Sequence, residues 1–409
     1  MIQAIVIGGG AVGLAIANAL LNRGVQVRLV NAPRGETCAS WGNAGHIAIE
    51  QVVPLASAST ILSTPRRLLS PRGGLSLPIA SIGAWAPFSW KLMQAAMPER
   101  YAAGKKALTA LLSEAGPAWE RLAQSLGKPQ LLRREGHFIT WSTAKAAAAG
   151  RAHWLSTEVG TASIRDAAAD ELSRLRSLAP QIAGAVRCVG SGQISDPDEL
   201  RKAMEMRLLA DGRLISAGAV AVESEPGGVR LDNGQVIQSD IIIVAAGIGS
   251  RALLEGLGLC VPMIAERGYH IQYEPEGWPA GTPPVVFEDY AMIATRFDSL
   301  VRVAGFVEFS RADLPADPKK WQRLTRNVKD LGLPLTRRIS AWMGSRPTLP
   351  DYLPAIGRSR RASNLFYAFG HQHLGLTLAP LTGELMAAVV MGETPAIHLE
   401  PFDLERFER

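Results

Sequence analysis

Gly8-Gly9-Gly10-Ala11-Val12-Gly13 sets three glycines at the spacing of a phosphate cradle. The chemistry is the binding of a dinucleotide. Gly8 turns the chain tightly, Gly10 lets the backbone approach a pyrophosphate, and Gly13 lets helix and strand pack closely. Ala11 and Val12 stand at a helix start, where free N–H groups and the helix dipole favour an anion. Two further stretches have related character. Ser40-Trp41-Gly42-Asn43-Ala44-Gly45-His46 is a small, polar loop of the kind that comes close to a flat ligand. Gly370-His371-Gln372-His373-Leu374-Gly375-Leu376-Thr377 follows an apolar strand and opens a helix, so its backbone N–H groups face outward. The flanking glycines make His46 and His373 candidates for ligand contact. Tyr269 and His270 are neighbours on a predicted strand and therefore point to opposite faces, so at most one enters a site directly. Tyr269 can hydrogen-bond a carboxylate, and Arg302, on another predicted strand, is a candidate cation for an anionic substrate.

The elements that must hold these groups are legible around them. Residues 5–7 form a short apolar strand, 14–22 a helix ended by Gly24, and 25–30 a second strand. This is a βαβ unit. An acidic residue for the ribose is expected about 20 residues past the glycines; Asn31 stands there, and its amide oxygen accepts a hydroxyl without charge assistance. Arg34 lies nearby. Residues 98–126 have the apolar spacing of a long helix, 138–141 read as a strand and 144–158 as an Ala-rich helix. Another helix opens at Asp196-Pro197, with Ser195 expected as its cap. Residues 218–222 and 229–231 read as paired strands, with Asp232-Asn233-Gly234 as a hairpin turn. A buried strand over 240–245 ends in Ala246-Gly247. Strands at 268–273, 291–295 and 300–306, a Pro-rich loop over 346–357, a strand at 365–369 and a helix over 377–391 complete the chain. The fold class is α/β.

A chain of 409 residues suggests two domains. Net charge is +6, but Lys and Arg are scattered and no aromatic interleaving accompanies them, which argues against nucleic acid and fits an anionic substrate or membrane surface. Cys38, Cys188 and Cys260 are far apart and form no metal-binding spacing, so no metal is expected, and reduced thiols in a cytosolic chain are. The apolar start is a strand without a basic leader region. Residues 75–90 carry no charge, include Trp85, Phe88 and Trp90, and are flanked by Arg66, Arg67, Arg72 and Lys91. The stretch is shorter than the ~20 residues a spanning helix needs, and Pro78 and Pro87 interrupt it. Core packing, a subunit contact and peripheral contact with the inner face of a membrane are all open for it.

Taken together, several motifs resemble the D-amino acid oxidase-like superfamily of FAD-dependent enzymes. They are Gly8 to Gly13, Ser40 to Gly45, Ala245-Ala246-Gly247, Glu266-Arg267-Gly268-Tyr269-His270, Gly344-Ser345-Arg346-Pro347 through Ala355-Ile356-Gly357, and Gly370 to Thr377. The nearest group resembles the bacterial D-amino acid dehydrogenases, including D-hydroxyproline dehydrogenases. Asn31 departs from the usual acidic residue, Ala246 from Thr and Gln372 from Gly. The resemblance implies a Rossmann-like FAD-binding domain in three pieces (1–47, 196–262 and 343–409) and a substrate domain on a mixed β-sheet with helices in two (48–195 and 263–342). Gly8, Gly10, Ala11, Val12, Gly13, Asn31, Ser40, Asn43, Ala44, Gly45, His46, Val220, Ala246, Gly247, Gly344, His373, Leu374, Gly375, Leu376 and Thr377 are implied as FAD contacts. Arg346 is implied as a two-point anchor for the substrate carboxylate, with Tyr269, His270 and Arg302 as further substrate contacts and His46 and His373 beside the reacting atoms. The implied reaction is oxidation of a D-amino acid, a D-proline type included, by hydride transfer from Cα to flavin N5. The electron acceptor is open between oxygen, quinone and a partner protein. A related amine oxidase of opine, sarcosine or glycine type, and a flavoprotein subunit of a heteromer, are the alternatives.

Overall fold

A computed structural model describes residues 2–32, 38–70, 72–210, 212–223 and 227–408, apart from the side chains of Arg66 and Leu69. Arg34 lies outside the described residues. The first strand, Gln3–Ile7, is buried from its second residue onward. Strands buried on both faces belong in a parallel sheet covered by helices. The order is Leu214–Ser216, Gln26–Asn31, Gln3–Ile7, Ile241–Val244 and Leu365–Phe369, all parallel, with Ala355–Arg358 antiparallel at the edge. Helix Ala11–Asn22 starts as soon as the glycine turn ends. It packs on the last helix, Gly375–Val390, where Gly383 permits close approach: a Cβ there would sit 2.7 Å from the Ala15 carbonyl oxygen. Helix Pro98–Ser125 packs on the same layer, and the Trp119 indole N–H donates to the carbonyls of Leu376 at 3.2 Å and Thr377 at 3.1 Å. This helix packs with the dinucleotide-binding layer.

The second layer is a larger mixed sheet ordered Arg338–Thr348, Ile264–Tyr273, Val301–Ser310, Met292–Arg296, Val285–Phe287, His137–Trp141, Gly184–Val189 and Ser163–Asp166. Two small three-stranded sheets complete the fold; one pairs His46–Ile47 with Gly192–Ile194 and thereby ties the segment after the Ser40 loop to the chain that follows the large-sheet strand Gly184–Val189. The Asp232-Asn233-Gly234 turn joins strands Gly228–Leu231 and Val236–Gln238.

Three local expectations are corrected. Arg346 and Pro347 lie in the strand Arg338–Thr348, not in a loop. Proline is tolerated there because this strand is at the sheet's edge. Asp196, not Ser195, caps helix Pro197–Ala210: its Oδ1 accepts from the N–H groups of Asp198 at 2.8 Å and Glu199 at 3.1 Å. Pro87 does not interrupt residues 75–90 but sits inside helix Ile82–Ala95. Phe88 from this helix is buried, whereas Ile79 is 86% exposed and Trp90 61%. Among the described residues one helix, Gln372–Val390, is long and apolar enough to cross a membrane, and 72% of its apolar window is buried inside the protein.

Candidate active site

The two layers enclose a cavity of about 1210 Å³. Gly8 to Gly10, Asn31, Cys38 to Ala44 and Ala245 to Gly249 line one part of it. The glycines are required by contact distances. Gly8 has φ +118°, and a Cβ on it would lie 2.4 Å from the Ala245 carbonyl oxygen; a Cβ on Gly13 would lie 1.9 Å from the Gly8 carbonyl oxygen. Two N–H groups of the turn are fixed by side chains: Asn31 Oδ1 accepts from Gly9 N–H and Ser40 Oγ from Ala11 N–H, each at 3.0 Å. The Asn31 oxygen expected for a ribose is thus already engaged by its own chain. A cradle that any Cβ would fill, opening into a cavity above the ~300–1,000 Å³ of a typical ligand pocket, fits a dinucleotide together with a small substrate.

Gly375 and Leu376, at the start of the last helix, line the same cavity, as do His371 and His373. Thr377 does not; its hydroxyl accepts from Ala48 N–H at 3.0 Å and ties the helix to the segment after the Ser40 loop. Ala11, Gly13, Gly45, Gly344 and Leu374 stand behind the lining rather than in it. Val220 is also outside, 56% exposed, and its neighbours Gly218 and Ala219 face the cavity instead.

Arg346 lies in the cavity wall. Its strand runs beside Ile264–Tyr273, with Arg346 opposite Glu266 and Gly344 opposite Gly268. The guanidinium lies over Gly268, where a Cβ would come within 2.3 Å of Nη2. Nη1 donates to Glu266 Oε1 at 3.3 Å and to the Phe306 carbonyl at 3.4 Å. Glu266 is itself fixed, its Oε2 accepting from Thr348 at 3.1 Å and Tyr352 at 3.2 Å. Among the described residues every side-chain hydrogen bond of Arg346 runs through Nη1, and Nε and Nη2 make none. The roles of Glu266, which fixes the guanidinium, and Gly268, which makes room for it, were not legible in the motif that contains them.

Three expected substrate contacts are corrected. Arg302 is buried away from the cavity, donating to the carbonyls of Trp41, at 3.2 Å, and Asn43, with its guanidinium over the Phe297 ring. It holds the Ser40 loop. His270 is buried with a ring nitrogen 2.8 Å from the Gly42 carbonyl oxygen, stacked on Trp342. Tyr269 lines the cavity, yet its hydroxyl donates to Glu308 Oε1 at 3.0 Å and accepts from Arg267 at 3.1 Å. That hydroxyl belongs to a buried charge cluster in which Glu308 also meets Lys320 at 2.9 Å. Burial pushes Tyr269 up to about 12, so it stays a neutral phenol.

The structure adds a group that the sequence did not bring together. His46, Glu50 and His137 all line the cavity, their ring nitrogens and carboxylate oxygens within 4.8 Å of one another. Burial pushes Glu50 up to about 8 and His46 down to about 4, so the one is protonated and the other neutral at neutral pH. Burial also lowers His373 to about 4 and His371 to about 3. The signs oppose. The histidines bind a proton more readily when unfolded, so stability is lost as pH falls below 6.5 toward about 4. Glu50 binds its proton more readily when folded, so its part is lost as pH rises from 4.5 toward about 8. Urea unfolding across pH is expected to show greatest stability near 6.5, and Glu50→Gln is expected to flatten the alkaline side and to steepen the acid side between 4.5 and 6.5, where Glu50 opposes the histidines.

A glycine turn opening a helix, a second helix start and Arg346 on one cavity fit a flavin-dependent oxidoreductase site. The family model for FAD dependent oxidoreductases (DAO) matches residues 3–389, and the chain belongs to that family. It is 31% identical over 415 residues to a D-amino-acid oxidase of Bradyrhizobium diazoefficiens, covering 98% of each. Among solved structures it resembles glycine oxidase from Geobacillus kaustophilus, with TM-score 0.75, 20% identity and coverage of 99% of this chain and 98% of that one. It also resembles iminodiacetate oxidase from Chelativorans sp., with TM-score 0.69, 20% identity and coverage of 98% of each. The protein is an FAD-dependent oxidoreductase acting on the CH–NH or CH–NH₂ group of an amino acid or amine.

Proposed function

We propose that this enzyme oxidises D-amino acids, with D-proline-type substrates in range. The observation that carries the reading is Arg346, fixed through Nη1 by Glu266 and open at Nε and Nη2 on the cavity wall. A planar fork pairs with a carboxylate at two points, which fixes the orientation of the atom next to it. The FAD supplies the hydride acceptor. The chain supplies placement: Gly8 to Gly10 and the Ser40 loop hold the dinucleotide, the start of helix Gly375–Val390 offers N–H groups and a dipole to charge that develops beside it, and Arg346 sets the Cα–H. Histidines kept neutral by burial at His46 and His373 leave the cavity without added positive charge beside a substrate amine. A primary amine gives an imine that water converts to keto acid and ammonia; a cyclic secondary amine gives a pyrroline carboxylate. Support for the D configuration is the 31% identical D-amino-acid oxidase. An anaerobic screen of D- and L-amino acids, following loss of the oxidised flavin band, tests the reading: reduction by D-enantiomers is expected, and reduction by L-enantiomers or simple amines alone sinks it.

Arg67 and Arg72 line the same cavity and favour a second reading, a substrate of opine or other dicarboxylate type. Faster reduction by an N-carboxyalkyl amino acid than by the parent amino acid distinguishes it.

We also infer that the surface around residues 75–97 touches an anionic membrane. Support comes from exposed Ile79, Ile82, Trp90, Met93 and Met97 with Lys91 among them. Sedimentation with anionic vesicles is expected to pull the protein down and moderate salt to release it; protein that stays in the supernatant without salt contradicts this.

A further inference from the structure

Backbone strain in this chain gathers around one side chain. Among the described residues four that are not glycine have a left-handed backbone: Ala291 at φ +49°, Phe306 at +70°, Tyr352 at +57° and Gln372 at +46°. Such residues are uncommon, and for a bulky one the conformation is an outlier. All four trace to the Arg346 guanidinium. The Phe306 carbonyl accepts from it, and the Tyr352 hydroxyl donates at 3.2 Å to the Glu266 that fixes it. Gln372 Nε2 donates to the Tyr352 carbonyl at 3.0 Å, and Ala291 and Phe306 meet at Gly74. Strain of this kind persists only where the surroundings over-determine it, and it clusters where ligands are clamped.

Phe306 sits in a β-bulge. Strands Ile264–Tyr273 and Val301–Ser310 pair Arg267 with Glu308 and then Tyr269 with Gly305, so Phe306 and Val307 together face Gly268. A bulge takes a residue out of the ladder and bends its strand. Here it turns the Phe306 carbonyl to Arg346 Nη1, at 3.4 Å, opposite the glycine over which the guanidinium lies. Glu266 Oε1, 3.3 Å from the same nitrogen, is the second fixed acceptor. Two acceptors on one nitrogen set the rotation of a planar group, and that rotation decides where Nε and Nη2 point. Phe306 is itself held from two sides. Its ring meets Tyr269 edge-on at 6.1 Å, with Lys320 Nζ 5.5 Å and the Arg323 guanidinium 5.3 Å from its centre. The next N–H, of Val307, donates to the Gly74 carbonyl at 2.8 Å, and a Cβ on Gly74 would lie 2.9 Å from that of Ala291.

We propose that Phe306 is a positioning residue for the substrate carboxylate: its left-handed backbone, pinned by its ring and by Gly74, aims a carbonyl at Arg346 and pre-sets the fork. This rests on the reading of Arg346 as the carboxylate anchor, and it adds the device that orients that anchor before substrate arrives. An anchor already in its bound rotation loses less side-chain freedom on binding.

The test is anaerobic flavin reduction by the preferred D-amino acid in Phe306→Gly and Phe306→Ala holoenzymes, read as half-saturating concentration and limiting rate. Gly adopts the left-handed backbone at no steric cost, whereas Ala, without the ring that pins it, returns to an extended one. Phe306→Ala is therefore expected to raise the half-saturating concentration about tenfold with its limiting rate little changed. Phe306→Gly is expected to stay within about threefold of wild type, although it too lacks the ring. Affinity for propionate, a carboxylate with no amine, read from the shift of the flavin band, is expected to follow the same order. In a strand of ordinary geometry Gly is the poorer choice, so Ala equal to Gly or better overturns the proposal, as does a limiting rate that falls as far as the affinity. Undiminished amino acid oxidation by Arg346→Ala overturns the anchor reading itself, whatever the Phe306 variants do. Should those variants fail to fold or to hold FAD, Gly74→Ala decides. Its Cβ displaces the clamp on Val307 and leaves ring and anchor in place, so a raised half-saturating concentration is expected, and one equal to that of wild type overturns the proposal.

Discussion

Gly10→Leu is expected to purify folded but without its flavin. A Cβ on Gly10 would lie 2.9 Å from Ser40 Oγ, the atom that accepts the Ala11 N–H at the start of helix Ala11–Asn22. The rest of a Leu side chain would extend into the space where the backbone must approach a pyrophosphate. Overpacking of a tight contact costs about 1–3 kcal/mol, and loss of the phosphate contacts adds to it. At ~1.4 kcal/mol per tenfold, FAD affinity should fall by about a hundredfold or more. The readout is the ratio of flavin to protein absorbance, with circular dichroism to show that the chain is folded. Wild type precipitated with acid should release its yellow colour into the supernatant, because no residue is assigned a covalent link to the flavin. A fully yellow Gly10→Leu, or a yellow pellet from wild type, contradicts the assignment.

Arg346→Ala should keep its FAD and lose activity. On the proposed reading the flavin is held by the glycine turn, the Ser40 loop and the last helix, and Arg346 makes no side-chain hydrogen bond to any of them. What the substitution removes is the fork, and it leaves Glu266 buried without its cationic partner. Loss of one partner of a buried charge pair costs roughly 3–5 kcal/mol, so catalytic efficiency should fall on the order of a hundredfold or more. Arg346→Lys should recover only part, since an ammonium makes no fork. Gly268→Ala should mimic the defect, because its Cβ would come within 2.3 Å of the guanidinium. The measurement is flavin reduction by a D-amino acid and by its decarboxylated amine. Equal rates with both in wild type, or an undiminished Arg346→Ala, would show that the anchor lies elsewhere.

What the sequence made legible was local. Three glycines between two apolar strands specify a turn, a helix start and a close crossing within a few residues, and each is found where the spacing put it. The last helix and its glycine-rich opening were legible for the same reason. Arg302 was misjudged because a strand gives only a side chain's direction; whether it meets a ligand or neighbouring carbonyls depends on which loop the fold lays over it, here Trp41 to Asn43, whose two carbonyls it takes. Tyr269 failed similarly, its hydroxyl captured by Glu308 from a strand 39 residues away. Glu50 and His137 are separated by most of the second layer's first segment, so their meeting was not readable. One signal for Glu50 was present: an acid amid Ile47, Ala48, Ile49, Val52 and Val53 is a charge placed where burial is nearly certain. The order of strands in the large sheet was not readable at all, because neighbours such as Val285–Phe287 and His137–Trp141 come from distant segments.

On the proposed reading, hydride leaves the Cα of a D-amino acid whose carboxylate is held by Arg346. The most direct test is the anaerobic rate of flavin reduction by the preferred D-amino acid carrying deuterium in place of hydrogen at Cα. A markedly slower rate than with the unlabelled substrate, and no reduction by the L-enantiomer, is the predicted result. Equal rates with the two isotopologues under conditions where reduction itself is observed, or reduction by the L-enantiomer at the same rate, would contradict it.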